Sequence, residues 1–201
     1  MSLSYTDLIE IRAQARVLLG LTAIAWLIHW INWGLLGGWL NRAFGLRPRT
    51  FWGLVGIACS PFLHVKGSHL PGNTRVFLLL GWFVLLLGMH LFYIVTIAIA
   101  LFSGIGVWLF GKSRGLYVGA SGITYGYRGF LLIYGITAGD AIAFILAIVS
   151  GFLYRDRILG SQYASSGILP GHRVRMAWDG HLFGFGGGIL VGLLLSDMRL
   201  S

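Results

Sequence analysis

From Val17 to Leu40 the chain carries no Asp, Glu, Lys or Arg. A helix needs about 20 predominantly apolar residues to cross the hydrocarbon core of a bilayer, and this run is long enough. It exceeds the apolar core of a secretory signal, and the residues before it, Met1 to Glu10, lack a positive n-region. It therefore reads as a retained span. Of the 201 residues, 57% are apolar or aromatic and only 10% are charged, against about 25% charged in an ordinary soluble domain. Disorder is excluded, and Cys59, the single cysteine, excludes a disulfide scaffold. Six spans use roughly 120 residues. The expected architecture is one all-α polytopic membrane domain over residues 1–201, with no room for a second domain.

The spans fall at about 17–40, 69–87, 90–110, 118–136, 139–154 and 180–196. Residues 1–16 read as a short interfacial helix. The long segment 41–68 holds Phe51 to Cys59, an apolar piece too short to cross that stops at Ser60-Pro61. It is expected to be a partly embedded loop between the first two spans. Residues 155–179 form a polar loop.

The formal net charge is +9, but the basic residues are scattered between apolar stretches without a basic run or face. That pattern excludes a nucleic-acid partner and implies headgroup anchors, with the lipid bilayer as the partner. With these spans most basic residues lie on one side, leaving Arg12, Arg16, Arg128 and Arg199 on the other. The positive-inside rule puts the richer side in the cytoplasm.

Polar groups at membrane depth are costly and usually functional. They occur here at the starts of three alternate spans, which return to one side of the membrane. Near the start of the fourth span, Ser121 and Tyr125 are four apart and share a helix face. Gly122, Gly126 and Gly129 form an adjacent stripe that admits a close helix neighbour. Ser121 sits in the first turn, where free N–H groups favour developing negative charge. In the sixth span His181, Gly184 and Gly188 lie on one face. Packed stripe to stripe, the two helices bring Ser121 and His181 together, and a neutral imidazole can take the serine proton. In the second span His69 and Asn73 are four apart. With the Ser121 N–H, an imidazole and a carboxamide supply donors for an oxyanion. Asp179, two residues before His181, faces away on a helix and is not a third member.

Gly119-Ala-Ser121-Gly122 with Tyr125 and Gly126, His181 with Gly184 and Gly188, and His69-x-x-x-Asn73 together resemble the signature of the rhomboid intramembrane serine proteases. The fragments Pro61 to Leu70 and Gly180 to Phe185 resemble a bacterial branch. The resemblance implies a six-helix bundle in which Ser121 is the nucleophile and His181 the general base. Tyr125 would orient the His181 ring, His69 and Asn73 would hold the oxyanion, and Gly119 would let the chain approach the site. The fifth span would gate entry of a transmembrane protein substrate, cut in or near its transmembrane segment. No metal or organic cofactor is implied. The resemblance would open the site to the non-cytoplasmic side, the reverse of the side to which the loop charges assign it. Pro71-Gly72 inside the His69 element is unusual for a helix, and Gly180 stands where alanine is common.

Other classes fit less well. Gly-x-Ser-x-Gly is missing because Ile123 occupies the fifth position, and His-Glu-x-x-His does not occur. An aspartyl protease needs two intramembrane aspartates, and only Asp140 is near a span. A transporter would spread polar residues along a path rather than cluster them at one end. The alternative reading is a catalytically silent relative that binds transmembrane segments.

Overall fold

The computed structural model describes residues 5–65, 67–153, 163–164, 174–175 and 178–200. Helix α1 (Tyr5–Gly34) is continuous. It joins much of the expected interfacial segment to the first span, with no break at residue 16, while residues 1–4 lie outside the described residues. It also stops short of Leu40. Gly37 and Gly38 take φ of 54° and 81°, and Gly38 lies so close to the Trp33 ring that a Cβ would sit 2.8 Å from it. Only glycine makes such a turn without strain.

The segment that follows is built of short pieces: α2 (Trp39–Phe44), α3 (Phe51–Cys59) and a 3₁₀ turn at Ser60–Phe62. Thr50 caps α3 by accepting from the Gly53 N–H at 3.0 Å. With 9 residues α3 rises about 13 Å, less than half of a hydrocarbon core.

Four long helices then carry the bundle: α4 (His69–Leu85), α5 (Met89–Phe110), α6 (Ser121–Thr137) and α7 (Ala141–Leu153). A two-residue antiparallel pairing of β1 (Tyr163–Ala164) with β2 (Val174–Arg175) precedes α8 (Trp178–Leu200). Most of the expected polar loop 155–179 lies outside the described residues.

Among the described residues, three helical stretches are long and apolar enough to cross a membrane: Asp7–Gly34, Met89–Phe110 and Trp178–Asp197. Helices α4 and α6, at 17 residues each, rise only about 25 Å. Helix α6 can be short because it is central and packs against α4, α5, α7 and α8. It starts at Ser121 because Gly119 breaks the expected span with φ 116°.

Tyr127, Phe130 and Leu131 of α6 are fully buried with Leu80 and Val84 of α4 and Phe92, Val95 and Ile99 of α5. The Tyr127 hydroxyl meets its polar requirement against Thr96 Oγ1 at 2.7 Å. The most extensive interhelix contact is α6 with α8, and much of it is made by backbone. A Cβ on Gly184 would collide with the Gly122 carbonyl oxygen, and one on Gly188 with the Gly126 carbonyl oxygen. On the reciprocal side, a Cβ on Gly129 would collide with the Phe185 carbonyl oxygen. Such close approach gains dispersion and carbonyl contacts in lipid, where no hydrophobic force draws helices together.

Candidate functional site

Ser121 opens α6, half-buried, and lines a cavity with Ser60, Pro61, Ser103, Gly119, Gly122 and Gly180. One turn further along, the Tyr125 ring lies flat on His181, with centroids 4.1 Å apart and planes 9° apart. His181 is 8% exposed in the first turns of α8. The flanking residues also meet: a Cβ on Gly122 would lie 3.5 Å from the Gly180 carbonyl oxygen. Ser103 Oγ donates to that same oxygen at 3.2 Å. Ser121 and His181 therefore stand at one end of a single helix pair.

His69 is the first residue of α4, and Asn73 follows one turn later on the same face. Pro71 and Gly72 fall within the first turn, where proline's missing N–H costs nothing. The Gly72 N–H still donates to Ser68 O at 3.0 Å. Gly119 ties this helix to α6. A Cβ there would lie 2.7 Å from His69 Cε1 and 3.3 Å from Asn73 Nδ2, and its N–H donates to Ser60 O at 2.8 Å. Asn73 is buried and, among the described residues, its Nδ2 has no hydrogen-bond partner; the same is true of His69 Nδ1. A buried donor left unsatisfied costs about 1–3 kcal/mol, so the Asn73 amide stands ready for an acceptor.

Two further residues belong to this neighbourhood. His64 sits edge-on to His69, with centroids 5.2 Å apart, and its carbonyl oxygen accepts from Trp33 Nε1 and Asn41 Nδ2 at 2.8 and 3.0 Å. Burial, reinforced by His69, pushes the His64 imidazole down to about 3, so it stays neutral. Arg128, grouped by its sequence position with the residues facing one membrane side, is instead buried in α6, 7% exposed, with its guanidinium 4.7 Å from the Tyr125 ring centroid. The signal for it is its place three residues after Tyr125, which puts both on one helix face. Asp179 turns away from the imidazole and accepts a hydrogen bond from the Tyr117 hydroxyl at 2.7 Å.

The long apolar helices, with buried polar groups gathered at the starts of α4, α6 and α8, define a multi-pass helical membrane protein. Residues 48–198 match the Rhomboid domain family model, and the chain belongs to the rhomboid family. It is 32% identical over 157 residues to an uncharacterized protein of Mycobacterium tuberculosis (strain H37Rv), and equally to one of Mycobacterium bovis. That match covers 76% of this chain and 63% of the relative. An uncharacterized protein of Mycobacterium leprae is 32% identical over 158 residues, covering 75% and 59%. The chain thus spans about three-fifths of the length of these curated relatives.

Proposed function

We propose that this rhomboid-family protein is an intramembrane serine endopeptidase of the cell membrane, cutting single-span membrane proteins in or near their transmembrane segment. The observation that carries the reading is the His181 imidazole held flat on Tyr125, one turn from Ser121 on the same face of α6. Ser121 Oγ attacks the scissile carbonyl carbon and its proton passes to the neutral His181 ring. The resulting oxyanion accepts from Asn73 Nδ2, from His69 and from the free Ser121 N–H at the start of α6. Collapse expels the amine, which takes the proton from His181. Water then attacks the acyl-enzyme with His181 as base once more, and Ser121 is released. Tyr125 holds the imidazole in plane, and the glycine seam lets the two helices approach closely.

The first test needs no substrate. A fluorophosphonate probe on the detergent-solubilised protein is expected to form one adduct, mapped to Ser121 by mass spectrometry, and His181→Ala is expected to lose it. The labelling rate is expected to fall as acid protonates His181, because only the neutral ring accepts a proton. A flat profile into strong acid would remove His181 from the base role. A folded wild-type chain that neither labels nor cuts a reporter transmembrane substrate would instead be a silent binder of membrane segments.

Asn73→Ala is expected to lower kcat on a reporter substrate by about 10²–10³-fold with little change in KM, since an oxyanion donor acts only in the transition state. Equal loss in kcat/KM through KM alone would place Asn73 in substrate binding.

A further inference from the structure

The two helices that carry Ser121 and His181 meet along a seam of glycines and main chain, which offers few interlocking side chains to stop one helix sliding along the other. A side-chain bond bridges the approach to α6 and the first turn of α8. Tyr117 lies four residues before Ser121 and Asp179 two before His181, and the Tyr117 hydroxyl donates to Asp179 Oδ2 at 2.7 Å.

The phenol is itself held firmly. Its oxygen accepts from the Lys112 N–H at 3.0 Å, and its backbone N–H and carbonyl both pair with Leu46 at 3.0 Å. Gly111 and Gly115 cradle the side chain: a Cβ on Gly111 would lie 3.1 Å from the hydroxyl, and one on Gly115 would run into the ring. Arg49 fixes that cradle by donating to Gly111 O at 2.9 Å and Ser113 Oγ at 2.7 Å. It does so from a left-handed backbone, φ 56°, which a non-glycine residue adopts only when its surroundings compel it. Burial, then the bond to Asp179, pushes the Tyr117 hydroxyl up to about 12, so it remains a neutral donor over any working pH.

We propose that Tyr117 and Asp179 form a positioning clamp that sets the height and rotation of the first turn of α8 against the start of α6, and so the seat of His181 on Tyr125. The clamp touches neither substrate nor reacting atoms. Asp179 is an acceptor for the phenol and not a partner of the imidazole. The Ser103 bond to Gly180 O is a second, weaker tie on the same turn. The clamp's bearing on catalysis rests on the protease reading; its bearing on the ring stack does not.

The test uses the whole chain in detergent with Tyr117→Phe, Asp179→Ala and Asp179→Asn. Isotope-labelled histidine reports the stack directly, because His181 ring protons lie within the ring current of Tyr125. Their resonance is identified by its absence in His181→Ala. Tyr117→Phe and Asp179→Ala are expected to move or broaden it, while Asp179→Asn, whose amide oxygen still accepts from the phenol, keeps it in place. The fluorophosphonate labelling rate is expected to follow the same order, falling about tenfold or more in the first two variants, as a small misplacement of a base does. The Tyr117→Phe, Asp179→Ala double variant is expected to label no more slowly than either single, since one bond is lost only once.

An unmoved His181 resonance in Tyr117→Phe overturns the clamp. So does a shift spread equally to His90, which lies outside this cluster and reports general loosening. If Tyr117→Phe does not fold, the Asp179→Asn and Asp179→Ala pair decides: equal resonances in the two overturn the clamp, and restoration by Asn alone supports it. Failure of the wild-type chain to label, with the resonance shifts as expected, overturns the protease reading and leaves the clamp standing.

Discussion

Ser121→Ala is expected to abolish cleavage of a reporter transmembrane substrate, a loss of at least about 10⁴-fold in kcat, while the protein keeps its thermal midpoint. The size follows from the chemistry. Without Oγ there is no acyl-enzyme, and what remains is the oxyanion site and binding alone. Stability should be spared because the change removes one oxygen from a half-buried residue in the first turn of α6, where the backbone and the glycine seam supply the packing. Calorimetry or thermal light scattering beside the cleavage assay checks both halves. Residual cleavage near the wild-type rate would mean another nucleophile. A large drop in midpoint would mean that Ser121 is a packing residue first.

Gly188→Leu is expected to cause a large loss of stability. A Cβ there would enter the Gly126 carbonyl oxygen and come within 2.8 Å of the Phe130 nitrogen. Both obstacles are main chain, so neither can rotate out of the way, and α6 and α8 must separate. Overpacking of a tight core costs about 1–3 kcal/mol, and more where backbone is the obstacle. Gly184→Leu meets the Gly122 main chain and is expected to behave alike. Gly186→Leu is the control: it sits on the same helix with nothing among the described residues within 4 Å of its would-be Cβ, and is expected to be tolerated. Size-exclusion profiles and thermal midpoints of the three variants in one detergent decide the matter. A Gly188→Leu protein as stable as Gly186→Leu would refute backbone-to-backbone packing at this seam.

The helices were legible because their cause is local. Long uncharged stretches become helices in lipid since each backbone group must find its partner within the segment. Helices α4 and α5 start and stop within two residues of the expected spans, and α7 starts within two. The four-residue spacings of Ser121 with Tyr125 and of His69 with Asn73 place each pair on one face as soon as the segments are helical. What escaped the sequence depends on tertiary neighbours. The end of α1 at Gly34 rather than Leu40 follows from a glycine turn packed on Trp33, which hydropathy does not register. Sequence position groups Arg128 with residues facing one membrane side; the structure places it over the Tyr125 ring instead. The Tyr117 to Asp179 bond joins residues 62 apart in the chain, and no short-range spacing could have paired them.

The glycine seam also governs how this chain can vary. Where a side chain blocks a substitution, a second change can clear the space. Where a neighbour's carbonyl blocks it, as at Gly126 facing Gly188, no replacement on the partner helix removes the obstacle. Such positions have no compensating partner and stand alone against drift. The outward faces of the bundle, such as Ile94, Ile97 and Leu101 of α5, are exposed and demand only that a residue be apolar. Mutational freedom in this molecule is therefore sorted by radius: nearly unrestricted at the lipid boundary, and nearly absent wherever main chain meets main chain, as it does along the seam through the centre.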